Sequence, residues 1–289
     1  MLKHYYDNLF SQEVKSDDGF MGRTHALSAL AVVLSVFAFV PGLFYKFSNN
    51  HITALVMLTL IALVTSGGAL LPDLDNTNSS AKSQLGLIGD ILSVFMRATA
   101  PVIKTAIHSK YDNNLENPHR SFYHTTVSAL LFGGLFSFLC SPLVNINVFG
   151  KFTLTGRIMA IILAFIAIDL CLSTVIGSIW SSKNIIQIIA SLGCSLGISF
   201  ALLHFMPKTV PYTIVGVALG AGWFIHCLGD CFTTAGTPLL WPLKIKGKMW
   251  YDIRFLKIKA GGMIENFVFT PLFITISIIA FIVINYFHN

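Results

Sequence analysis

Seven apolar runs set the architecture that this chain can adopt. Each is about 20 residues long, which is the length that an α-helix needs to cross the hydrocarbon core of a bilayer. Backbone polar groups in lipid have to be satisfied within the chain, so we predict an all-α, polytopic membrane protein with about seven transmembrane helices. The runs lie at residues 26–47, 52–71, 122–144, 157–180, 184–206, 211–230 and 267–287.

The composition agrees with a membrane protein. Hydrophobic residues make up 54% of the 289 residues, charged residues make up 11%, and the mean hydropathy is +0.72. These values lie outside the range of soluble globular chains. We predict one integral membrane domain over residues 1–289, with a polar N-terminal segment at 1–24 that is not a cleavable signal peptide. The five cysteines lie in or beside apolar runs, which argues against a disulfide framework.

Basic residues are distributed unevenly between the two sides that seven alternating spans create. The side that contains residues 1–24, 72–120, 181–184 and 231–266 carries 15 of the 19 Lys and Arg residues. Because cytoplasmic loops are enriched in these residues, we place this side in the cytoplasm. Residues 72–120 are then a long cytoplasmic loop, and residues 231–266 are a basic one. The net charge of +6 comes from basic residues that flank the apolar runs, and we interpret it as a signal of membrane topology. We therefore predict membrane lipid as the partner and no nucleic acid.

The long cytoplasmic loop contains a different kind of apolar segment, at residues 85–109. Its apolar side chains recur at helical spacing until Pro101, which we expect to interrupt the helix. The segment is too short and too amphipathic to span a bilayer. It predicts an interfacial amphipathic helix that lies over the membrane or over a site.

Chemically reactive side chains cluster where the apolar runs meet the predicted cytoplasmic side. One cluster opens the first run, one follows the second, one opens the third, one closes the sixth and one precedes the seventh. Histidines and carboxylates, which predominate, are the usual ligands of divalent metals. The clusters contain His25; Asp73 and Asp75; His119, Arg120 and His124; His226, Asp230 and Thr233; and Glu265.

The cluster that closes the sixth run has helical spacing. His226 and Asp230 are four residues apart and Thr233 is seven from His226, so one helix face carries all three. A His and Asp pair at this spacing can hold one divalent metal or bridge to a second. A helix-end Asp that pairs with a nearby Arg would show the same spacing.

The two aspartates after the second run follow Pro72, where the chain is expected to be extended or turning. Asp73 and Asp75 would then point in different directions. We expect at most one of them to bind a metal directly and the other to orient a histidine. Both would also be compatible with a solvated loop.

Other polar residues have two interpretations each. Arg120 can pair with a phosphate or a carboxylate, or it can be an ordinary cytoplasmic arginine. His25 can be a ligand or a lone interfacial histidine. Asp169, near the middle of the fourth run, can mark an ion pathway or make a structural polar contact. Cys227 and Cys231, four residues apart, can be a thiolate pair or packing residues, and we favour packing.

Five motifs occur in the order of a known family. The stretches THALSA, GALLPDLDN, HRSFYHT, HCLGDCFTTAGTPLLWP and GGMIE, from His25 to Glu265, resemble the LexA-regulated, inner-membrane metal-dependent hydrolase family of bacteria. The chain departs from the family pattern at Asn76, where His is usual, at Ser121, where Gly is usual, and at Tyr123, where Thr is usual. The first departure affects one possible ligand, and the others suggest a reshaped substrate entrance.

The resemblance implies a bacterial inner-membrane location and a metal site on the cytoplasmic side. The family is also distantly similar to the zinc-dependent phospholipase C and P1 nuclease group, which points to phosphoester cleavage. We expect a membrane-embedded hydrolase that uses zinc, or else manganese, on a lipid or lipid-linked phosphoester. Asp75 or Glu265 would be the general base, and Arg120 would stabilise the departing charge. The implied metal ligands are His25, Asp73, Asp75, His119, His124, His226, Asp230 and Glu265, with Arg120 and Thr233 beside them.

A membrane transporter or ion-binding protein is the alternative from another class. It would use the same ligands without hydrolysis. Asp169 in the fourth run favours it, because charges inside a membrane often mark ion pathways. Ligands at one interface, and not at the midplane, favour hydrolysis.

Overall fold

The computed structural model describes residues 21–46, 50–112, 119–148, 152–179, 185–207 and 209–287. The described part is mostly helical, with one antiparallel ribbon of strands β1 (Asn145–Val148) and β2 (Phe152–Thr155). Residues 1–20 of the predicted N-terminal segment and the predicted connection 181–184 lie outside it. The helices are α1 (Gly22–Phe39), α2 (Pro41–Tyr45), α3 (His51–Gly68), α4 (Ser80–Leu85), α5 (Leu87–Ala106), α6 (Thr126–Leu139), α7 (Gly156–Ile179), α8 (Ile185–His204), α9 (Ile214–Asp230) and α10 (Thr270–Phe287).

Each of the seven predicted runs contains an α-helix. The prediction of a mostly helical membrane protein is therefore confirmed, whereas seven crossings stay a prediction. Shorter apolar helices occupy Thr126–Leu139, Ser191–His204 and Ile214–Asp230. Within the described residues, the segments long and apolar enough to cross a membrane are Gly22–Phe39, His51–Asp75, Gly156–Val175 and Glu265–Tyr286.

Two helix boundaries differ from the predicted runs for local reasons. The third run begins its helix at Thr126, because the Thr125 side chain accepts a hydrogen bond from the Ser128 N–H and caps the helix. The residues before the cap, Phe122–His124, form a short 3₁₀ turn. The first run is divided at Pro41, which opens the short helix α2.

Helix α9 packs against both α6 and α3. Glycines allow these close contacts: a Cβ atom at Gly220 would come within 2.6 Å of the Gly133 Cα atom of α6. A Cβ atom at Gly222 would come within 2.0 Å of the Thr65 carbonyl oxygen of α3. Small residues of this kind let membrane helices pack with their backbones in contact. Helix α1 packs against α3, α9 and α10. Helix α1, which carries His25, is therefore a neighbour of α3, which precedes the two aspartates, and of α9, which carries His226.

The amphipathic segment of the long loop forms helix α5, Leu87–Ala106, as predicted. The predicted interruption at Pro101 is wrong, because the helix continues through this buried residue. Proline removes one N–H donor, and the loss is tolerated in a helix whose face packs on other segments. The Thr105 hydroxyl donates to the Pro101 carbonyl oxygen at 2.8 Å in the next turn. Helix α5 packs against two 3₁₀ turns, Pro72–Asp75 and Phe122–His124.

The basic loop at 231–266 is tied to the chain after α5. The Asp112 carboxylate accepts a hydrogen bond from the Trp250 backbone N–H at 3.0 Å. The Trp250 indole N–H donates to the Ile107 carbonyl oxygen at 2.7 Å. Burial by itself would raise the pKa of Asp112, but backbone N–H donors, Ser109 foremost, lower it. The two cytoplasmic loops predicted from the sequence therefore contact each other.

Candidate metal centre

Seven of the eight predicted ligands converge on one cluster. They come from segments that are distant in sequence: the start of α1, the 3₁₀ turn after α3, the turn before α6 and the last turns of α9. The packing of α1, α3 and α9 brings these segments together. The seven residues are His25, Asp73, Asp75, His119, His124, His226 and Asp230.

The His124 ring joins two carboxylates. Its Nε2 atom lies 3.1 Å from Asp75 Oδ2, and its Nδ1 atom lies 3.0 Å from Asp230 Oδ2. The other oxygen of Asp75 lies 2.9 Å from His119 Nδ1. Asp75, His124 and Asp230 are at most 2% exposed. Imidazole rings therefore replace water as the partners of these carboxylates.

His226 points one ring nitrogen at two carboxylates. Its Nδ1 atom donates to the Ala69 carbonyl oxygen at 2.8 Å, which orients the ring so that Nε2 faces the carboxylates. Nε2 lies 3.4 Å from Asp230 Oδ2 and 3.6 Å from Asp73 Oδ1. Among the described residues, this buried atom has no hydrogen-bond partner. A histidine nitrogen that faces two carboxylates without a hydrogen bond to either can serve as a metal ligand beside them.

His25 lies on the same side of the cluster as Asp73. Its ring stacks on the His226 ring with 3.8 Å between centroids, and its Nε2 atom lies 3.4 Å from Asp230 Oδ1. Three overlapping groups have ligand atoms within 4.8 Å of one another and can hold a metal ion. Because His124 and His226 each belong to two groups, the cluster is continuous. The groups are His25, Asp73 and His226; Asp75, His119 and His124; and His124, His226 and Asp230.

Asp73 and Asp75 point to different parts of the cluster. The chain turns here, which was one of the two predicted forms, as the 3₁₀ helix Pro72–Asp75. Residues two apart in such a helix are separated by about 120° around its axis, so Asp73 faces His226 and Asp75 faces His119. We expected at most one direct ligand, and both carboxylates belong to candidate groups. They differ in exposure, since the Asp73 side chain is 20% exposed and the Asp75 side chain is fully buried.

Arg120 holds Asp230 in place. Its Nη2 atom donates to Asp230 Oδ1 at 3.1 Å. Its Nη1 atom donates to Thr233 Oγ1 at 2.9 Å and to the Gly236 carbonyl oxygen at 3.1 Å. Arg120 is therefore a positioning residue in this structure, and its predicted action on a departing charge stays a prediction. Thr233 lies beside the cluster, as the resemblance implies, and its hydroxyl donates to the Asp230 carbonyl oxygen at 2.7 Å.

Glu265 is the predicted ligand that the structure places outside the candidate groups. Its Oε1 atom accepts from the Met21 N–H at 2.6 Å, and its Oε2 atom accepts from the Gly261 N–H at 2.7 Å. Met21 precedes α1, whose first N–H groups lack acceptors within the helix, so this buried carboxylate stabilises the helix start. Within the described residues it joins none of the three metal groups. The geometry gives Glu265 a capping role, and its action as ligand or base stays a prediction.

Two contacts that position the cluster were missed by the sequence analysis. The Ala69 carbonyl oxygen fixes the His226 ring, and the Thr237 hydroxyl donates to the His124 carbonyl oxygen at 2.6 Å. The first contact uses a backbone atom, which every residue has. The second joins residues 113 positions apart, and only the tertiary structure shows that they meet.

The donor set consists of imidazole nitrogens and carboxylate oxygens. These ligands suit zinc and also serve manganese or iron, so the identity of the metal stays a prediction. Within the described residues, neither of the two nearby cysteines belongs to a candidate metal group. Burial raises the pKa of Cys231 to about 12, which keeps the thiol protonated. Its Sγ atom lies 3.4 Å from the Cys227 carbonyl oxygen.

Asp169 makes a structural polar contact between two helices. It lies in α7 and is 7% exposed. The hydroxyls of Ser191 and Ser195 in α8 donate to one of its carboxylate oxygens at 3.0 and 3.1 Å. Within the described residues it belongs to none of the candidate metal groups. The structural interpretation of Asp169 therefore has direct support.

The fold and the cluster together define a helical membrane protein with a candidate metal centre. The sequence model of the YdjM inner membrane protein family matches residues 20–183 and 187–288, and the chain belongs to this family. Family membership supports the inner-membrane location. It is consistent with the resemblance to the LexA-regulated hydrolases, although the family description names no reaction. No curated protein and no solved structure matches the chain.

Proposed function

We propose that this protein is a membrane-embedded, metal-dependent hydrolase that cleaves a phosphoester in a lipid or lipid-linked substrate. One observation carries the proposal: the buried His226 Nε2 atom, which has no hydrogen-bond partner among the described residues, faces the Asp73 and Asp230 carboxylates. Without an ion, this polar atom would lie away from water without a partner, which is costly. A divalent ion bound by His226 Nε2 and Asp230 would give the atom a partner.

The innermost group is the best holder for this ion, with zinc the first choice and manganese the second. His124 and His226 would supply nitrogen ligands, and Asp230 would supply oxygen. All three are fully or almost fully buried. When bound, the ion supplies a coordinated water of near-neutral pKa and a positive charge beside a phosphoryl oxygen.

The surrounding side chains orient these ligands. Asp75 contacts the rings of His119 and His124 and fixes their orientation. Arg120 holds Asp230 through a contact of 3.1 Å to Oδ1. Ligands that are held in place before metal binding lose little conformational freedom when it binds.

Asp73 is the carboxylate best placed to take a proton from water. A general base has to reach the attacking water, and Asp73 is the more exposed of the two aspartates in the 3₁₀ turn. Both oxygens of Asp75 already contact imidazole rings. We therefore assign the base to Asp73, in place of the Asp75 or Glu265 expected from the sequence.

The location of the cluster at helix ends supports a lipid substrate. Asp75 ends the candidate span His51–Asp75, Asp230 ends α9, and His25 lies in the first turn of α1. Ends of spanning helices lie near the depth of lipid headgroups, where phosphoesters are concentrated. The resemblance to the zinc-dependent phospholipase group suggests the same bond.

An ion-binding or transport protein is the second candidate. Asp169 favours it, because this buried carboxylate lies within the candidate span Gly156–Val175 and intramembrane charges often mark ion pathways. Two serine hydroxyls already satisfy it, however. Transporter sites lie near the bilayer midplane, whereas the His and Asp cluster lies at helix ends.

Metal analysis and a substrate panel test the proposal together. Purified wild-type protein is expected to contain zinc or manganese and to hydrolyse a phosphoester or a phospholipid. His226→Ala should lose both properties. Asp73→Asn should keep the metal and lose turnover by about 10²-fold or more, because it removes the base. Asp169→Asn is the matched control and should keep both.

Three outcomes would contradict this assignment. The absence of bound metal from wild-type protein would contradict the assignment of a metal centre. Unchanged turnover in His226→Ala and Asp73→Asn would contradict the proposed hydrolase activity of this site. Ion flux in wild-type vesicles that disappears in Asp169→Asn would favour the transporter instead.

A further inference from the structure

Helix α5 is amphipathic, and its hydrophobic face points away from the rest of the protein. The face that packs on the protein is built mostly from small or polar residues, and its buried members include Gly89, Ser93, Ala100 and Lys104. The large apolar side chains point outward. In a soluble protein the apolar face would point to the core. The exposed residues are Leu87 (76%), Ile88, Ile91 (60%), Leu92, Val94, Phe95 and Val102.

These exposed side chains form a continuous surface, which we call the α5 stripe. At about 100° per residue, Ile91, Phe95 and Val102 lie within about 40° of one another around the helix. Ser93 and Ala100 lie on the opposite side, at about 180–200° from Ile91. A contiguous row of large aliphatic and aromatic side chains marks an interaction surface.

We propose that the α5 stripe is immersed in the bilayer, at the boundary between lipid headgroups and acyl chains. The segment before the stripe is continuous with the membrane spans. One candidate span ends at Asp75, and α5 begins at Leu87. Just before α5, the Gln84 side-chain oxygen accepts a hydrogen bond at 3.1 Å from Thr174, near the end of another candidate span, Gly156–Val175. The segment that leads into α5 therefore follows one span end and contacts another.

The stripe also lies beside positive charge that is complementary to anionic lipid. The chain just after α5 is tied to the basic loop, because the Ser109 hydroxyl donates to the Gly247 carbonyl oxygen at 2.7 Å. Residues 231–266 contain six Lys and Arg residues and two acidic ones. Basic segments of this kind attract anionic headgroups, and an apolar stripe beside them is the composition of an interfacial helix.

The immersion has a consequence for the metal centre. The protein-facing side of α5 packs on the two 3₁₀ turns that contain Asp75 and His124. A helix anchored in the interface would hold these turns, and the cluster, at headgroup depth. Access of a lipid substrate to the cluster rests on the proposed function, whereas the immersion of the stripe does not.

Spin labelling of protein reconstituted in phosphatidylethanolamine and phosphatidylglycerol vesicles tests the inference. Labels are placed by Ile91→Cys or Phe95→Cys in a Cys194→Ser background, because Cys194 is exposed and the other cysteines are buried. Oxygen partitions into lipid and a nickel chelate stays in water. We expect oxygen access to exceed nickel access several-fold at both positions. Ile278→Cys in α10 should behave likewise, and Lys110→Cys should show the reverse.

Two results would overturn the inference. Nickel access at Ile91 and Phe95 equal to that at Lys110 would show that the α5 stripe faces water. Low access to both reagents, with dipolar coupling between labels at Phe95 of two copies, would show a protein interface. The measurement needs neither metal nor substrate, so failure of the hydrolase proposal leaves its outcome unchanged, and the reverse also holds.

Discussion

Asp230 and Glu265 are both buried carboxylates beside the ends of apolar helices, and their partners differ in kind. Asp230 contacts imidazole rings and a guanidinium group. Glu265 accepts two backbone N–H groups. An imidazole can give up its proton and bind a metal, whereas a backbone N–H remains a donor. The chemistry of the partners therefore distinguishes a candidate ligand from a helix cap, although both groups are buried carboxylates beside helix ends.

Asp230→Ala should have the largest effect on this comparison. The change leaves Arg120 buried without its carboxylate, so we expect the free energy of unfolding to fall by about 3–5 kcal/mol. Bound metal should also be lost. Thermal unfolding in detergent and metal analysis measure the two effects. A variant that unfolds and binds metal like wild type would erase the distinction between the two carboxylates.

Arg120→Lys should give the next largest effect. Lysine cannot reproduce the forked contact that reaches Asp230 and Thr233 together. Loss of such a supporting contact is expected to weaken metal affinity about 10–100-fold. Competition with a zinc chelator measures the affinity. An unchanged affinity would show that Arg120 does not position Asp230, and a loss of turnover alone would favour its predicted catalytic role.

Glu265→Gln tests the other side of the comparison. The amide keeps one acceptor oxygen and presents its NH₂ group to a backbone N–H, so the protein should lose about 1–2 kcal/mol of stability. The metal content should stay at the wild-type level, because Glu265 contacts the Met21 and Gly261 N–H groups. Metal lost from a variant that remains folded would make Glu265 a ligand, as the resemblance implies.

Lys104→Met should have the smallest effect, which is a change in the pH dependence of the free energy of unfolding. Burial lowers the pKa of Lys104 from its ordinary value of 10.5, although Asp252 and Asp112 act to raise it. The folded protein then loses the proton before the unfolded chain does, so stability rises with pH between the lowered pKa and 10.5. The rise is at most about 1.4 kcal/mol per pH unit for one proton.

The Lys104→Met variant should lack this rise and keep its metal. Unfolding midpoints measured from neutral to alkaline pH give the slope, and Lys110→Met, which removes an exposed lysine, is the control. Equal slopes in wild type and Lys104→Met would mean that the Lys104 ammonium is as well solvated in the folded protein as in the unfolded chain.

The helices and most of the cluster were accessible to sequence analysis for physical reasons. Apolar length predicts helices in lipid, and all seven runs contain one. The helical spacing of His226 and Asp230 places them on one face, where the structure brings both to the cluster. Pro101 shows the limit of such rules, because packing keeps α5 continuous through a residue that usually ends helices.

The sequence by itself determined the kind of molecule: apolar runs long enough to cross a bilayer, basic segments between them, and metal-binding residue types at their ends. Only the tertiary structure decided which of those residues meet. Asp73 and Asp75 separate around a 3₁₀ axis, Ala69 sets which nitrogen of His226 faces the carboxylates, and Glu265 turns to the start of α1. The reason is that hydropathy and spacing act along the chain, whereas hydrogen-bond partners are supplied by segments that only packing brings together.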